Sequence, residues 1–434
     1  MRFAPFVLVA LVGCGTKPPP VQPAAPLVPP VHDKLNADEA PGPLALDRTG
    51  IENAIRLGAT VHDAENGYEV RIERDTRAAE ALAALASNRS VVGVGIENDT
   101  LTDADLKHLS RCANLERLTL LNCPKVTGTG FGALAACKKL KALSATACAL
   151  ADDAPSALAV LAALEELTLD GAKLTDTGLR ALAALPQLGA LSLEGAPATG
   201  TAFAAPGWAH LRDLNLNRTA LSDAGAAAVL ALPRLARLSA DRTLITDDGM
   251  SGLARAKNLL ELSLSGARIT DVTVRFAVSN VHLRALDVSE TAIGSGWLAD
   301  LPEHRQLRKL NVARTRFDDA GAALLARFPN LSRLDASGCE PLTDKGLAAL
   351  GALKALTAIE LSDTAAGDAT AAALAQLALL TDAGFCRSKL TDAGAKLLAS
   401  GAKLRVLDAR ATKVTKEGAE RARAGRARLE IRTD

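Results

Sequence analysis

One pattern returns every 24 residues from Val91 onward and holds its phase for more than 300 residues. It reads L-x-x-L-x-L-x-x-(T/C/A)-x-(L/I)-T-D-x-G-L-x-x-L-x-x-L-x-x. Copies begin at Val91, Leu115, Leu140, Leu164, Leu188, Leu211, Leu235, Leu259, Leu283, Leu307, Leu331, Leu356, Leu380 and Leu404, fourteen starts of which thirteen are Leu. Two copies carry one extra residue, near Pro124 and Pro341, and one is a residue short before Leu211. A length of 434 residues alone would suggest two or three globular domains. A fixed period overrides that prior, because each unit is one supersecondary element that buries its apolar face only by stacking. Composition agrees, since aromatic residues are only 3% of the chain. A core of many thin identical layers needs small regular fillers rather than bulky rings.

Each part of the unit has a physical reason. L-x-x-L-x-L alternates as a short strand, with Leu167 and Leu169 directed inward and Glu166 and Thr168 outward. Thr175 stands at a helix N-cap, where its hydroxyl accepts an orphan N–H, and the Asp176 carboxylate favours the positive helix end. Leu179, Leu182 and Leu185 then follow at helical spacing. Gly occupies the position after Asp-x in eight of fourteen copies, as at Gly178, Gly225 and Gly394, and is expected to permit close packing near the bend. Ala154, Thr273 and Trp297 replace it elsewhere.

The pattern resembles the leucine-rich-repeat family, close to its cysteine-containing and GALA-type repeats, with Gly132-Ala133-Leu134-Ala135 a literal instance of the latter. The resemblance covers residues 91–427. It implies an α/β fold: a right-handed leucine-rich-repeat solenoid (horseshoe) with parallel strands on the concave face and helices on the convex face. Residues 47–90 are expected to form an N-terminal cap, with an amphipathic helix from Ile51 to Leu57. A degenerate repeat begins there at Gly67, using Val70 and Ile72 as strand positions and Ala81, Leu82 and Leu85 as helix positions. Residues 428–434 supply a last strand through Leu429 and Ile431.

Residues 1–13 read as a secretory signal, with one positive charge, a short apolar run and small residues at its end. Leu11-Val12-Gly13-Cys14 resembles the bacterial lipobox, which implies a lipid-modified Cys14 as the mature N-terminus. Residues 15–46 hold nine prolines and read as a semi-rigid spacer, so that 14–46 is lipidated cysteine plus linker. Gly15 after the cysteine resembles the sorting pattern of outer-membrane lipoproteins, and the expected location is the cell envelope, with periplasmic or surface orientation open.

The cysteines fall on layer positions. Cys123, Cys148 and Cys339 occupy the ninth residue of the unit, where other copies carry Thr219, Thr243, Thr291 or Thr315. In the family this site holds the turn after the strand. Cys112 and Cys137 lie at equivalent helix ends. Adjacent strands are about 4.8 Å apart, so Cys112/Cys137 and Cys123/Cys148 are within disulfide reach, although stacked layers rarely aim two Cβ atoms at each other. Cys386 is expected to project from the concave strand region. The six histidines, His32, His62, His108, His210, His282 and His304, form no triad or metal cluster, and no phosphate-binding glycine loop joins a strand to a helix. Enzymatic activity, cofactor and metal are therefore not expected.

Outward strand positions lie two, four, six and seven residues after the first Leu. Early repeats place small groups there, such as Gly93, Gly95, Ala142 and Ser144, and later ones place charge. Arg218, Arg242, Lys309, Arg314, Asp335, Glu360 and Arg387 are the candidate partner-binding residues. Fourteen strands give an inner arc of roughly 65 Å, suited to a protein partner before a polysaccharide, since no Trp or Tyr occupies those positions. Formal net charge is +1, with 50 basic and 49 acidic residues, which argues against nucleic acid. Residues 403–434 hold a local excess of ten basic over five acidic groups, read as a solvated end cap. The expectation is a monomeric, non-catalytic recognition module that meets the membrane only through its lipid. The alternatives are an F-box-like ubiquitin-ligase substrate adaptor, for which residues 15–90 show no Leu-Pro-rich helix bundle, and a structural envelope spacer.

Overall fold

The strands are short because each repeat offers only one apolar-polar alternation before its turn. The computed structural model describes residues 48–434, apart from 75, 87 and 300–302. The signal segment, Cys14 and the proline-rich stretch lie outside the described residues. Strand lengths fall from seven residues in β3 (Val91–Glu97) to three in β6 (Glu166–Thr168) and every later strand. Sixteen strands, from β2 (Gly67–Ile72) to β17 (Glu430–Arg432), pair in parallel with their sequence neighbours. Equivalent repeat positions pair in register, as in Glu166↔Ala190 and Leu167↔Leu191. The inward leucines therefore stack directly, and Leu167, Leu169, Leu191 and Leu193 are all fully buried.

At the N-terminal end α1 (Thr49–Arg56) packs on α2 (Ala78–Leu85), and β2 carries Val70 and Ile72 in the core. The sequence reading missed β1 (Thr60–Ala64), which pairs antiparallel with β2 and borders the sheet on that side. Its Asp63 and Ala64 lead through a short turn to Gly67, whose φ of 156° and close approach to the Ser90 carbonyl leave no room for a side chain.

The Thr-Asp pair does more than cap its own helix. Thr175, Thr270, Thr343, Thr391 and Thr415 each accept a hydrogen bond from an N–H in the first turn of the helix they precede. Each of these threonines also donates its hydroxyl to an aspartate of the preceding repeat, Asp152, Asp247, Asp319, Asp368 and Asp392 respectively. The aspartate is thus a staple between layers. The close-packed glycines have the same explanation: a Cβ at Gly178 would approach the Asp152 carboxylate, and one at Gly346 would fall on that of Asp319. Thr273 and Thr370 replace that glycine by donating their own hydroxyls to Asp247 and Asp344, at 2.5 and 2.6 Å. Where Gly128, Gly200 or Ser295 stands in place of the aspartate, the first turn lacks its negative charge. Those repeats close with 3-10 turns, at Thr129–Ala136, Thr201–Ala204 and Gly296–Leu298, as do the repeats of Asp103 and Asp247, at Asp105–Arg111 and Leu253–Arg255.

The ninth-position threonines hold the turn as expected, with Thr219, Thr243 and Thr315 donating to the carbonyl three residues earlier at 2.6–2.8 Å. Neither cross-repeat disulfide forms. Cys112 and Cys137 instead donate to the carbonyls of Leu85 and Leu109, at 3.4 and 3.2 Å. Cys123 and Cys148 remain thiols, and the interaction between them pulls Cys123 below the ordinary thiol range and pushes Cys148 above it. Cys386 is buried at 3% exposure rather than projecting from the surface.

Candidate functional site

The outward side of the sheet resolves into three rows running across the repeats. The first row holds the residue two positions after the leading Leu. Across β8 (Asp213–Asn215), β9 (Arg237–Ser239) and β10 (Glu261–Ser263), Asp213, Arg237 and Glu261 stand in register. Arg237 donates to Asp213 Oδ2 at 2.5 Å, while Asp213 Oδ1 and Glu261 Oε2 are buried without a hydrogen-bond partner among the described residues. Further along, β11 (Ala285–Asp287), β12 (Lys309–Asn311), β13 (Arg333–Asp335) and β14 (Ala358–Glu360) align Ala285, Lys309, Arg333 and Ala358.

The second row, four positions after the Leu, is mostly closed to solvent. Asp287, Asp335 and Glu360 each accept the amide and hydroxyl of the serine two residues on, Ser289, Ser337 and Ser362. These carboxylates satisfy an N–H that the strand leaves unpaired where it ends. Six positions after the Leu, Asp170, Asn217 and Asp241 serve the next repeat instead, each accepting from the serine of that repeat's middle row and from an amide. Burial raises Asp170, Asp287 and Asp335 above the ordinary carboxylate range and lifts Asp241 to about 6. Burial also lifts Glu360 to about 7, with the charges of Asp335 and Asp408 adding to it against the Ser362 hydroxyl. Asp335 and Glu360 were expected as outward recognition groups. The structure makes them strand-end acceptors, with Asp335 only 7% exposed.

The third row is a corner seven positions after the Leu, and its backbone is left-handed in thirteen of the fourteen repeats. Four of those corners are Gly171, Gly195, Gly266 and Gly338, with φ of 65–77°. The other nine carry side chains, among them Arg218, Arg242, Arg314 and Arg387, with φ of 53–57°. The four expected arginines therefore form a ridge bordering the sheet, and carboxylates engage each of them. Arg218 pairs with Glu194 at 3.5 Å, Arg242 and Arg314 share Glu290 at 2.9 and 3.3 Å, and Arg387 forks onto Asp363. Arg242 crosses Gly266 to reach Glu290, so the glycine at that corner leaves room for its stem. Of the seven expected residues, Lys309 is the cation that stands on the sheet itself with no side-chain partner among the described residues. The sequence reading passed over Arg284 and Arg308, one position after the leading Leu. Both are exposed because that residue precedes the strand and turns away from the core.

A sheet of this length, with one short strand per repeat and a helix or 3-10 turn behind each, is shared with known structures. A model of the family described as Leucine Rich repeat matches residues 209–230. An internalin of Listeria monocytogenes superposes with a TM-score of 0.51 at 20% identity, covering 79% of this chain and 86% of its own. A leucine-rich-repeat protein of Leptospira interrogans gives 0.55 at 18% identity, covering 81% and 91%. This is a leucine-rich-repeat solenoid. TLR13 in its complex with ssRNA13 is also similar, with a TM-score of 0.52 at 17% identity, covering 81% of this chain and 59% of that one. No curated protein matches the sequence.

Leucine-rich repeats commonly act as protein-binding modules, and in this solenoid the sheet and its ridge carry the ordered polar rows described above. Among the described residues no group of three or more His, Cys, Asp and Glu is placed to hold a metal ion. His304 is structural: its Nδ1 accepts the Leu307 amide at 3.1 Å, which leaves Nε2 to donate to the Asn280 carbonyl at 3.1 Å. Trp208 and Trp297 are buried, and their indole N–H groups donate to the carbonyls of Ala202 and Gly294.

Proposed function

We propose that this leucine-rich-repeat protein is a lipid-anchored cell-envelope module that recognises a protein partner, without catalysis, through the concave face of its repeats. The observation that supports this most directly is the sheet face. It aligns sixteen strands in one register, closes its middle row with internal hydrogen bonds, and leaves charged groups at its first row and ridge. A surface whose middle row is satisfied internally and whose first row and ridge are charged suits recognition by complementary charge. The lack of accessible indoles on that face favours a protein over a polysaccharide. Anchoring rests on Leu11-Val12-Gly13-Cys14 and the proline-rich spacer, and no helix among the described residues is long and apolar enough to cross a membrane. The expectation against nucleic acid rests on charge balance alone, and RNA is therefore retained as a competitor in binding assays.

Protease shaving of intact cells, beside a Cys14→Ala variant, tests the placement. Digestion of the wild type places the solenoid on the cell surface, and protection until the outer membrane is opened places it in the periplasm. Unchanged membrane attachment of Cys14→Ala overturns the lipoprotein reading and restores the intracellular adaptor. For the binding reading, in-cell cross-linking is compared between wild type and Arg218→Glu/Arg242→Glu/Arg314→Glu. Loss of a discrete cross-linked protein in the variant supports it, and an identical pattern moves the site off the ridge.

A further inference from the structure

Lys309 and Arg333 face each other as in-register partners on β12 and β13. Parallel neighbours are about 4.8 Å apart, and like charges held directly opposite each other repel. Several other cations of the sheet and ridge are paired: Arg117 with Glu69, Arg237 with Asp213, Arg242 with Glu290 and Arg387 with Asp363. Lys309 and Arg333 have no ion pair or side-chain hydrogen bond among the described residues, and neither do Arg284 and Arg308, which lead into β11 and β12. Four unpaired cations thus gather at the leading edge of three consecutive strands. Ala285 and Ala358 flank the Lys309–Arg333 pair in the same row, so no bulky side chain screens it on either side. The nearest carboxylates on these strands, Asp287 and Asp335, face the opposite strand end and are occupied by Ser289 and Ser337.

We propose that this leading edge, built from Arg284, Arg308, Lys309 and Arg333, is the docking strip for an acidic polypeptide segment. The assignment rests on the reading of the concave face as a protein-binding surface and adds the chemistry of the segment it holds. Charge complementarity fixes the occupant's sign, and the second row fixes its position. Asp287, Asn311, Asp335 and Glu360 run parallel to the strip one residue pair further along the strands, and Ser289, Ser337 and Ser362 occupy the three carboxylates, so an anionic chain finds free cations at the edge and none in the middle. An extended peptide with carboxylates on one side and neutral groups on the other meets both rows.

The test uses the full-length chain and fluorescein-labelled deca-glutamate, read by fluorescence anisotropy. A heparin-type sulfated oligosaccharide and a single-stranded RNA serve as competitors. Deca-glutamate should bind saturably and release as ionic strength rises. Lys309→Glu/Arg333→Glu should weaken it by at least about tenfold, while Arg255→Glu/Lys257→Glu on the helix side changes it by less than about twofold. Lys309→Gln/Arg333→Gln should give an intermediate loss with no drop in thermal midpoint, because it removes repulsion rather than a contact. Absence of saturable binding, an equal loss in the helix-side variant, or tighter binding of the oligosaccharide or RNA than of the peptide overturns the assignment. The broader reading stands or falls separately: a discrete cross-linked protein that survives Lys309→Glu/Arg333→Glu but not the ridge variant sinks this strip alone.

Discussion

Asp344 and Thr370 lie 26 residues apart in sequence and in adjacent layers, joined by hydrogen bonds of 2.8 Å from the Thr370 amide and 2.6 Å from its hydroxyl. The same carboxylate also accepts the amides of Gly367 and Ala369. One side chain therefore satisfies three backbone amides and a hydroxyl at the start of the next helix, and the amides are donors that no helix can satisfy for itself.

Removing that staple exposes its magnitude. Asp344→Ala should cost about 1–3 kcal/mol, since it strands partly buried amides as well as breaking a charged acceptor's bonds. Asp344→Asn should cost less, because the amide oxygen still accepts. Urea unfolding of both variants measures this, and equal stability of Asp344→Ala and wild type would mean that water replaces the carboxylate without loss.

The two sets of carboxylates respond to acid in opposite directions. Burial acts to raise Asp344, but the hydrogen bonds from Thr370, Gly367 and Ala369 hold it below the ordinary range. Its contribution is present above the unfolded value near 4 and is lost as pH falls through the folded one. Asp241 at about 6 and Glu360 at about 7 are raised, so the folded chain binds more protons than the unfolded chain between about pH 4 and 7. Their contribution is fully present below about pH 4 and is lost as pH rises through 6–7. The thermal midpoint should therefore rise on going from pH 8 to about 5 and fall again below about 4. Glu360→Gln should flatten the neutral limb and leave the acid limb unchanged.

Two glycines should behave oppositely. Gly346→Ala drives a methyl group onto the Asp319 carboxylate, and a loss of about 1–3 kcal/mol is expected. A Cβ at Gly132 meets nothing within 4 Å, and Gly132→Ala should be neutral or gain up to about 1 kcal/mol. Chemical denaturation of the two variants side by side makes the comparison, and similar effects would refute the staple as the reason for glycine at position 346.

The left-handed corners carry a measurable cost. Ala147 sits at φ 53° with no side chain to bond with a neighbour. Ala147→Gly should stabilise by about 1 kcal/mol, the penalty of an L-residue in that region offset by glycine's looser unfolded state. Arg242→Gly relieves the same strain but breaks the pair with Glu290, so its net effect should be near zero in low salt and positive in high salt, where the pair is screened.

The sequence by itself determined the repeat, the strand and the helix entry. These depend on contacts within one unit: alternate leucines such as Leu167 and Leu169, and a cap such as Thr175 four residues before Leu179. Contacts between units were legible only as a recurring letter. Asp152 reads as a helix-dipole residue in its own repeat, yet it binds Thr175 of the next, because stacking brings equivalent corners together at a distance that no linear pattern encodes. The corner conformation was hidden for a similar reason. Arg218, Ala147 and Glu290 have no intrinsic preference for positive φ, and the closure of every layer imposes it on whichever residue stands there. Burial of Asp335 and pairing of Arg242 with a carboxylate two repeats away were likewise settled by neighbours above and below. The residue types along the chain set what each layer is made of; only the stacked structure decided which charges are spent inside the surface and which, as at Lys309 and Arg333, are left facing outward.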